Sequence, residues 1–266
     1  MQNGFLFGLT AIAALVPATA LTWRTPFRRN AAFWAVITLA CIGPASAVFA
    51  HSQEAWQADF STSIWVTIAS TMALFLIFSA SVRNVWQLAP LLSAYMLLLS
   101  LMGFAWQHAP DEPLTQPANT GLLGLHIALA VTTYGLATLS AVAALAAFLQ
   151  ERALKRKHRA PLGGVLPSIT DCDRLVIRFL VIGEAVLALG LATGIILNIF
   201  DDQPMLSADH KTVFTIASFV IIGIVLVAQA RHGLRGRKAA RIVLLAYLLL
   251  TLGYPGVKFV TDVLLG

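Results

Sequence analysis

Charge is what this chain has least of. Only 11% of its 266 residues are Asp, Glu, Lys or Arg, against roughly 25% in a soluble domain. That shortage excludes an ordinary water-solvated surface. Cysteine is nearly absent as well. Cys41 falls inside an apolar run and Cys172 in a predicted loop, at depths that do not let them pair easily. No C-x-x-C occurs, which argues against a thiol oxidoreductase, and no C-x-x-C-H occurs, which argues against covalent haem attachment to this chain. A P-loop, a dinucleotide fingerprint, H-E-x-x-H and G-x-S-x-G are missing too. The expectation is a protein that is not an enzyme.

What the chain has is apolar length. Hydrophobic residues make up 58% of it, and the mean hydropathy is +0.80. A helix crosses the hydrocarbon core with about 20 mostly apolar residues. Eight runs meet that requirement: 4–22, 31–50, 62–81, 88–105, 121–149, 175–200, 211–230 and 242–265. They are continuously apolar rather than alternating, so a transmembrane β-barrel is excluded. The fold class is therefore all-α, a polytopic membrane helix bundle of about eight helices, with residues 1–266 as one integral membrane domain. The first run lacks a basic start, so it reads as a retained helix rather than a cleaved signal. The longest connection, 150–174, separates five helices from the last three. Pro17, Pro44, Pro90 and Pro255 fall within predicted helices, where each removes a backbone donor and can kink its helix.

The net charge of +6 is explained by position. Arg24, Arg28 and Arg29, then Arg83, then Arg152 to Arg159, then Arg231 to Arg241 fall in loops that share one side if eight helices alternate. The other loops carry Glu54, Asp59, Asp111, Glu112, Asp201, Asp202 and Asp209. Short basic loops stay in the cytoplasm. Both termini are thus expected outside, on the periplasmic side of a bacterial inner membrane. The basic residues are scattered among loops and form no binding module, so nucleic acid is not an expected partner. The lipid bilayer is.

The histidines divide between the two sides. His158 and His232 sit among cytoplasmic basic residues, whereas His51, His108, His126 and His210 map to the outer side with Trp56, Trp65 and Trp106. An aromatic belt accounts for the tryptophans, and loop exposure accounts for His51 and His108. His126 is different, because it lies inside the run "GLLGLHIALAVTTYG". Ionisable residues in membrane helices are rare and face the bundle interior or a cavity. Thr133 and Tyr134 continue a polar stripe from it. The stripe reads either as a hydrogen-bonded packing surface or as one lined for a ligand. In "SADHKTVF", Asp209 is a natural N-cap for the seventh helix and puts His210 in the first turn. The helix dipole there disfavours the imidazolium, and neutral imidazole is the form that ligates metal. His126 and His210 are candidates for haem axial ligands. Zinc or copper with His51, His108 or Asp209 is the other metal reading, and capping alone accounts for His210 without any metal.

Glu184 is the one carboxylate clearly inside a predicted helix. An unpaired charge there costs about 2.5–3.5 kcal/mol on insertion scales, so it is expected to be protonated, paired or turned inward. Arg178 lies on nearly the opposite side of the same helix and is expected to snorkel toward the cytoplasm.

The stretches "LHIALAVTTYGLATLSAVAAL", "ATG" at 192–194 and "DHKTVFTIASFVIIGIVLVAQARHGLRGRKAARIVLLAYLLLTLGYPGVKFV" resemble the cytochrome c assembly membrane family. This is the CcsA/ResC/CcmC-like group of haem-handling proteins, and the short YpjD-like branch is the most similar. The resemblance covers about residues 60–266. It implies noncovalent binding or presentation of haem b at the outer face, for attachment to apocytochrome c in company with other cytochrome c maturation proteins. By the resemblance, His126 stands where the family has its first outer-face ligand histidine. The stretch Asp209 to Lys211 matches the D-P-K-E tail of the family's tryptophan-rich motif, with His210 in place of proline. That motif is otherwise missing, since "NIFDDQPMLSADHK" has no Trp. The family histidine of the seventh helix falls near Val227, and "GVKFVTDVLLG" lacks the C-terminal one. These departures imply a haem-binding accessory protein or a relative with a changed role. Two other readings stand beside it. One is a transporter or transporter-associated subunit, proton-coupled through Glu184. The other is a scaffold of a membrane complex that holds no ligand.

Overall fold

A computed structural model of the chain describes residues 2–23, 28–52, 60–106, 120–155, 165–200, 210–232 and 237–251. All regular structure among them is helical: α1 (Gln2–Thr22), α2 (Ala31–Ser52), α3 (Phe60–Ser81), α4 (Ala89–Ala105), α5 (Thr120–Lys155), α6 (Ile169–Phe200), α7 (His210–His232) and α8 (Arg237–Thr251). Helix satisfies every backbone group within its own segment, as hydrocarbon requires. Among the described residues six stretches are long and apolar enough to cross a membrane: Ala31–Phe49, Phe60–Ser81, Val85–Ala105, Gly121–Lys155, Ile169–Phe200 and Thr212–Arg231. The other two apolar helices are shorter, Leu6–Thr22 and Arg241–Thr251. The last run of the sequence reading, 242–265, extends beyond the described residues.

Two boundaries move for local reasons. α5 runs past 149 because "QERALK" is good helix-forming sequence and Lys155 pairs with Glu151 at 2.7 Å, one turn back. α6 starts at Ile169 rather than 175. Ser168 Oγ accepts from the Asp171 amide at 3.2 Å and donates to the Asp171 carboxylate at 2.7 Å, an N-terminal cap of the S-x-x-D kind. Cys172 is therefore a buried residue of the first turn of α6, not a loop residue. Pro90 likewise stands at the start of α4, where its missing N–H costs nothing. Pro17 and Pro44 do lie within helices.

The helices group four and four, not five and three. α1 packs on α2 and α4, α2 on α3, and α3 on α4, closing one ring. α5 packs on α6 and α8, α6 on α7, and α7 on α8, closing a second. α3 joins the rings by packing on α5. The grouping follows from α5, which lies along most of α6 instead of completing the first ring.

One end of the assembly gathers Arg28, Arg29, Arg83, Arg152, Lys155, Arg174, Arg231 and Arg241. There the Trp23 indole donates to Pro90 O at 3.0 Å, Arg29 to Ala80 O at 3.5 Å, and Gln150 to Leu166 O and Pro167 O. Phe78 of α3 meets Phe179 of α6 edge-on at 5.1 Å. Trp65 departs from the aromatic-belt expectation. It is 1% exposed, because it lies on the face of α3 that carries Phe60, Ser61, Ile64 and Ile68 into the core. The α3–α4 turn uses Asn84 at φ 69°, a left-handed conformation that asparagine tolerates.

Close approach in lipid depends on small side chains. A Cβ on Gly43 of α2 would sit 2.6 Å from the Ala14 Cβ of α1. Gly43→Val is expected to destabilise the detergent-purified protein by about 1–3 kcal/mol, as overpacking does. Gly124→Ala, where a Cβ meets nothing within 4 Å, is expected to leave the thermal midpoint unchanged or raise it, since alanine is the better helix former. Thermal unfolding of both variants checks the contrast.

Candidate functional site

α5 and α6 run antiparallel in a fixed register. Ser140 Oγ of α5 donates to Val176 O of α6 at 3.4 Å. A Cβ on Gly183 would lie 3.6 Å from Leu136 Cβ, and one on Gly190 would lie 3.9 Å from Leu129 Cβ. Farther along, α6 presents "GLATG", residues 190–194, a small-x-x-x-small pair that admits a close neighbour. The neighbour is His126. A Cβ on Gly194 would stand 3.1 Å from His126 Cε1. Any larger residue there displaces the ring.

This seat fixes the imidazole. His126 Nδ1 lies 3.1 Å from Gly190 O and 3.1 Å from Thr193 Oγ1. A carbonyl oxygen only accepts, so Nδ1 carries the hydrogen and donates. Thr193 Oγ1 spends its own hydrogen on Gly190 O at 2.9 Å. Nε2 is then left with its lone pair, and no hydrogen bond engages it among the described residues. Donation from one ring nitrogen to a carbonyl is the arrangement that orients and strengthens a metal-ligating histidine at the other.

The surroundings of His126 are open. None of residues 121–132 of α5 is buried, whereas most of residues 133–147 are. Leu125 is 51% exposed. The side chains beside His126 are thus unburied, whereas those farther down the helix are packed.

The rest of the expected stripe divides. Thr133 is buried, and its hydroxyl donates to Leu129 O at 2.9 Å in its own helix. Tyr134 turns toward α8 instead. Its hydroxyl lies 3.1 Å from Tyr247 Oη and 3.2 Å from Thr251 Oγ1. Tyr247 Oη is also 2.6 Å from Tyr95 Oη and accepts from Thr138 Oγ1 at 3.2 Å. These residues form a hydroxyl cluster joining α4, α5 and α8, separate from His126.

His210 is the first residue of α7, and its side chain lies outside the described residues. Asp209, His108 and the side chain of His51 do as well. The end of the bundle to which His210 belongs follows from chain reach. Glu184 of α6 meets Gly223 of α7, where a Cβ would lie 3.3 Å from Oε1. A parallel α7 would put His210 about 44 Å from Phe200 at 1.5 Å per residue. Ten residues of chain span at most about 36 Å. α7 is therefore antiparallel to α6, and His210 begins at the same end as His126. In the ring α5 and α7 stand on a diagonal, each packed on α6 and α8. Among the described residues no three His, Cys, Asp or Glu group to hold a metal ion, which leaves the zinc or copper reading without a ligand set there.

Gly190, Thr193 and Gly194 are the positioning residues that sequence reading missed. Their signal was the G-x-x-x-G spacing itself.

The chain spans a membrane as a helix bundle, and a family model described as cytochrome C assembly protein matches residues 31–265. It belongs to that family, and the match begins well before residue 60, where the resemblance was first legible. Among similar proteins, an uncharacterised 28.8 kDa protein of Azospirillum brasilense is 46% identical over the whole of both chains. The inner membrane protein YpjD of Escherichia coli K12 is 26% identical over 96% of this chain and 94% of its own. The protein HemX of Brevibacillus brevis is 24% identical over 72% of this chain and 69% of its own. No solved structure matches.

The hydroxyl cluster yields a test of its own. Tyr247→Phe removes the shared junction and leaves the Tyr95, Tyr134 and Thr138 hydroxyls with fewer partners. It is expected to lower stability by about 1–3 kcal/mol, the cost of unsatisfied buried hydroxyls. Thermal unfolding in detergent should register it, and any bound ligand should remain.

Proposed function

We propose that this protein binds haem b noncovalently at the end of the α5–α8 ring opposite the basic residues and presents it for cytochrome c assembly. The observation that carries the reading is the His126 imidazole. Its Nδ1–H is held by Gly190 O at 3.1 Å while Nε2 keeps its lone pair. His126 would hold the haem iron from α5, and His210, which begins the diagonal helix at the same end, would hold it from α7. Cofactor sites in four-helix bundles are built in this way, from side chains on facing helices.

Haem contributes an iron centre whose behaviour is set by its axial ligands and pocket polarity. The protein's part is to bind and orient it. Thr193 and Gly190 fix the tautomer and direction of His126. Gly194 leaves room for the ring, and the unburied outer half of α5 gives the macrocycle a place to lie. The chain is a binding and presentation protein, not an enzyme. Placement in a bacterial inner membrane with the haem end outward is supported by the basic residues gathered at the opposite end, which the positive-inside rule keeps in the cytoplasm. It is also supported by the printed name of the YpjD relative. Apocytochrome c or another cytochrome c maturation protein is the recipient this placement suits.

The test is a visible spectrum of detergent-purified protein after haem reconstitution. A Soret band is expected from the wild type and is lost in His126→Ala. Thr193→Val, which keeps the Gly190 carbonyl but removes the hydroxyl, is expected to weaken haem affinity about 10-fold, the lower end of effects on such supporting groups. Haem absorbance that survives replacement of both His126 and His210 by alanine overturns the proposal.

A further inference from the structure

Glu184 lies halfway along α6, fifteen residues from Ile169 and sixteen from Phe200. At 1.5 Å per residue that is more than 20 Å from either helix end. The side chain turns to α7, where its Oε1 is 3.3 Å from the position a Cβ would take on Gly223. Glycine is what lets the carboxyl lie against the α7 backbone. Oε2 is buried and has no hydrogen-bond partner.

No cation compensates this group among the described residues. The ion pairs found there are Lys155–Glu151 and Arg174–Asp171. α7 has no titratable side chain from Thr212 to Ala230. α3, which touches α6 through Phe78 and Phe179, has none from Phe60 to Ser81. Between His126 and Glu151, α5 has only Tyr134, whose hydroxyl is engaged with α8. On α6 itself the nearest charge is Arg178, exposed and nearly two turns toward the basic end. A carboxylate at this depth would stand alone in a medium that charges the chain several kcal/mol for it. The neutral acid has no such cost, and a glutamine or leucine would fill the same space without titrating.

We propose that Glu184 is a proton-binding site in the seam between α6 and α7, holding its proton as a carboxylic acid that exchanges with the aqueous phase. The exchange is a simple dissociation: the O–H bond breaks, the proton leaves as hydronium, and the electron pair stays on the carboxylate. The seam has an edge on the outside of the bundle, where an apolar reagent dissolved in lipid can enter. Val181 and Ile182 on α6 and Val220 and Ile224 on α7, the near neighbours of Glu184 and Gly223, are exposed on the outside of the bundle. The site is independent of haem, since Glu184 lies on a different face of α6 from Gly190 and Thr193.

The test is labelling with dicyclohexylcarbodiimide, an apolar reagent that reacts with protonated carboxyls in hydrophobic surroundings. Full-length protein in membrane vesicles would be treated near neutral pH and mapped by peptide mass spectrometry. The expected result is one dominant adduct, on Glu184, with Glu151, Asp171 and Asp173 unmodified. Its rate should fall about tenfold per pH unit once above the carboxyl's midpoint. Glu184→Gln should abolish the adduct. Should that variant fold poorly, infrared spectra of the wild type provide the second readout, as a carboxylic acid C=O band that shifts in heavy water. Absence of both the Glu184 adduct and the acid band overturns the proposal. So does labelling whose rate ignores pH.

Discussion

Lipid offers no hydrophobic reward for packing one apolar helix on another, since the tails are as apolar as leucine. Association has to come from backbones that approach closely and from the few polar groups that find partners across a helix pair. The α5–α6 contact is built this way along its length. α6 brings Gly183, Gly190 and Gly194 to the seam, and α5 brings Leu136, Leu129 and His126 against them. α5 is densely alanine-rich below, with Ala137, Ala141, Ala143, Ala144, Ala146 and Ala147 all buried. The rest of the second ring hangs on this pair. α8 docks on α5 through the tyrosine cluster, and α7 lies against α6 at Gly223. The position of His126 over Gly194 is a consequence of the same register.

Among the described residues many hydroxyls are spent locally. Thr19, Thr22, Thr67, Ser70, Thr133 and Ser218 each donate to a carbonyl three or four residues back. This satisfies the group without linking helices. Against that background some side chains reach across, as Ser61 does to Gly103 O and Ser140 to Val176 O, and the buried Thr71 Oγ1, Ser79 Oγ, Gln229 Oε1 and Glu184 Oε2 have no hydrogen-bond partner. His126 crosses to α6, and Tyr95, Tyr134 and Tyr247 tie three helices.

Membrane class and the existence of eight helices were legible because hydrophobic length is a coarse signal that survives the absence of everything else. His126 and Glu184 were legible because an ionisable residue in an apolar run is rare enough to notice. What could not be read was pairing. The 150–174 connection is the longest between helices, yet chain length between segments does not say which faces meet, and the helices divide after α4 instead. The polar stripe through Thr133 and Tyr134 was drawn from helical spacing alone. Spacing cannot tell a hydroxyl bonded to its own backbone from one that reaches a neighbour. Trp65 was misplaced for a related reason: a tryptophan near a helix end suits both the interface and the core, and only its burial between helices decides. The G-x-x-x-G at 190–194 was visible throughout. It became informative once the residue opposite it was known to be a histidine.

The two ends of the second ring differ in packing. Toward the basic end, α5 from Thr133 onward is closely packed, Cys172, Val176 and Phe179 of α6 are buried, and Gln150 closes the helix–helix turn on two carbonyls. Toward the other end α5 loses its burial within a turn of Leu129, though α6 still holds it through His126. A scaffold with no ligand would gain from continuing the alanine packing to the top of the helix. This chain instead places exposed Gly121 and Gly124 there, with open space where a side chain on Gly124 would be. It keeps one rigidly oriented imidazole in that region and starts α7 with a second histidine at the same end. Stability is concentrated where the helices need only hold together. The looser end carries the His126 ring, whose Nε2 has no hydrogen bond among the described residues, and the first residue of α7.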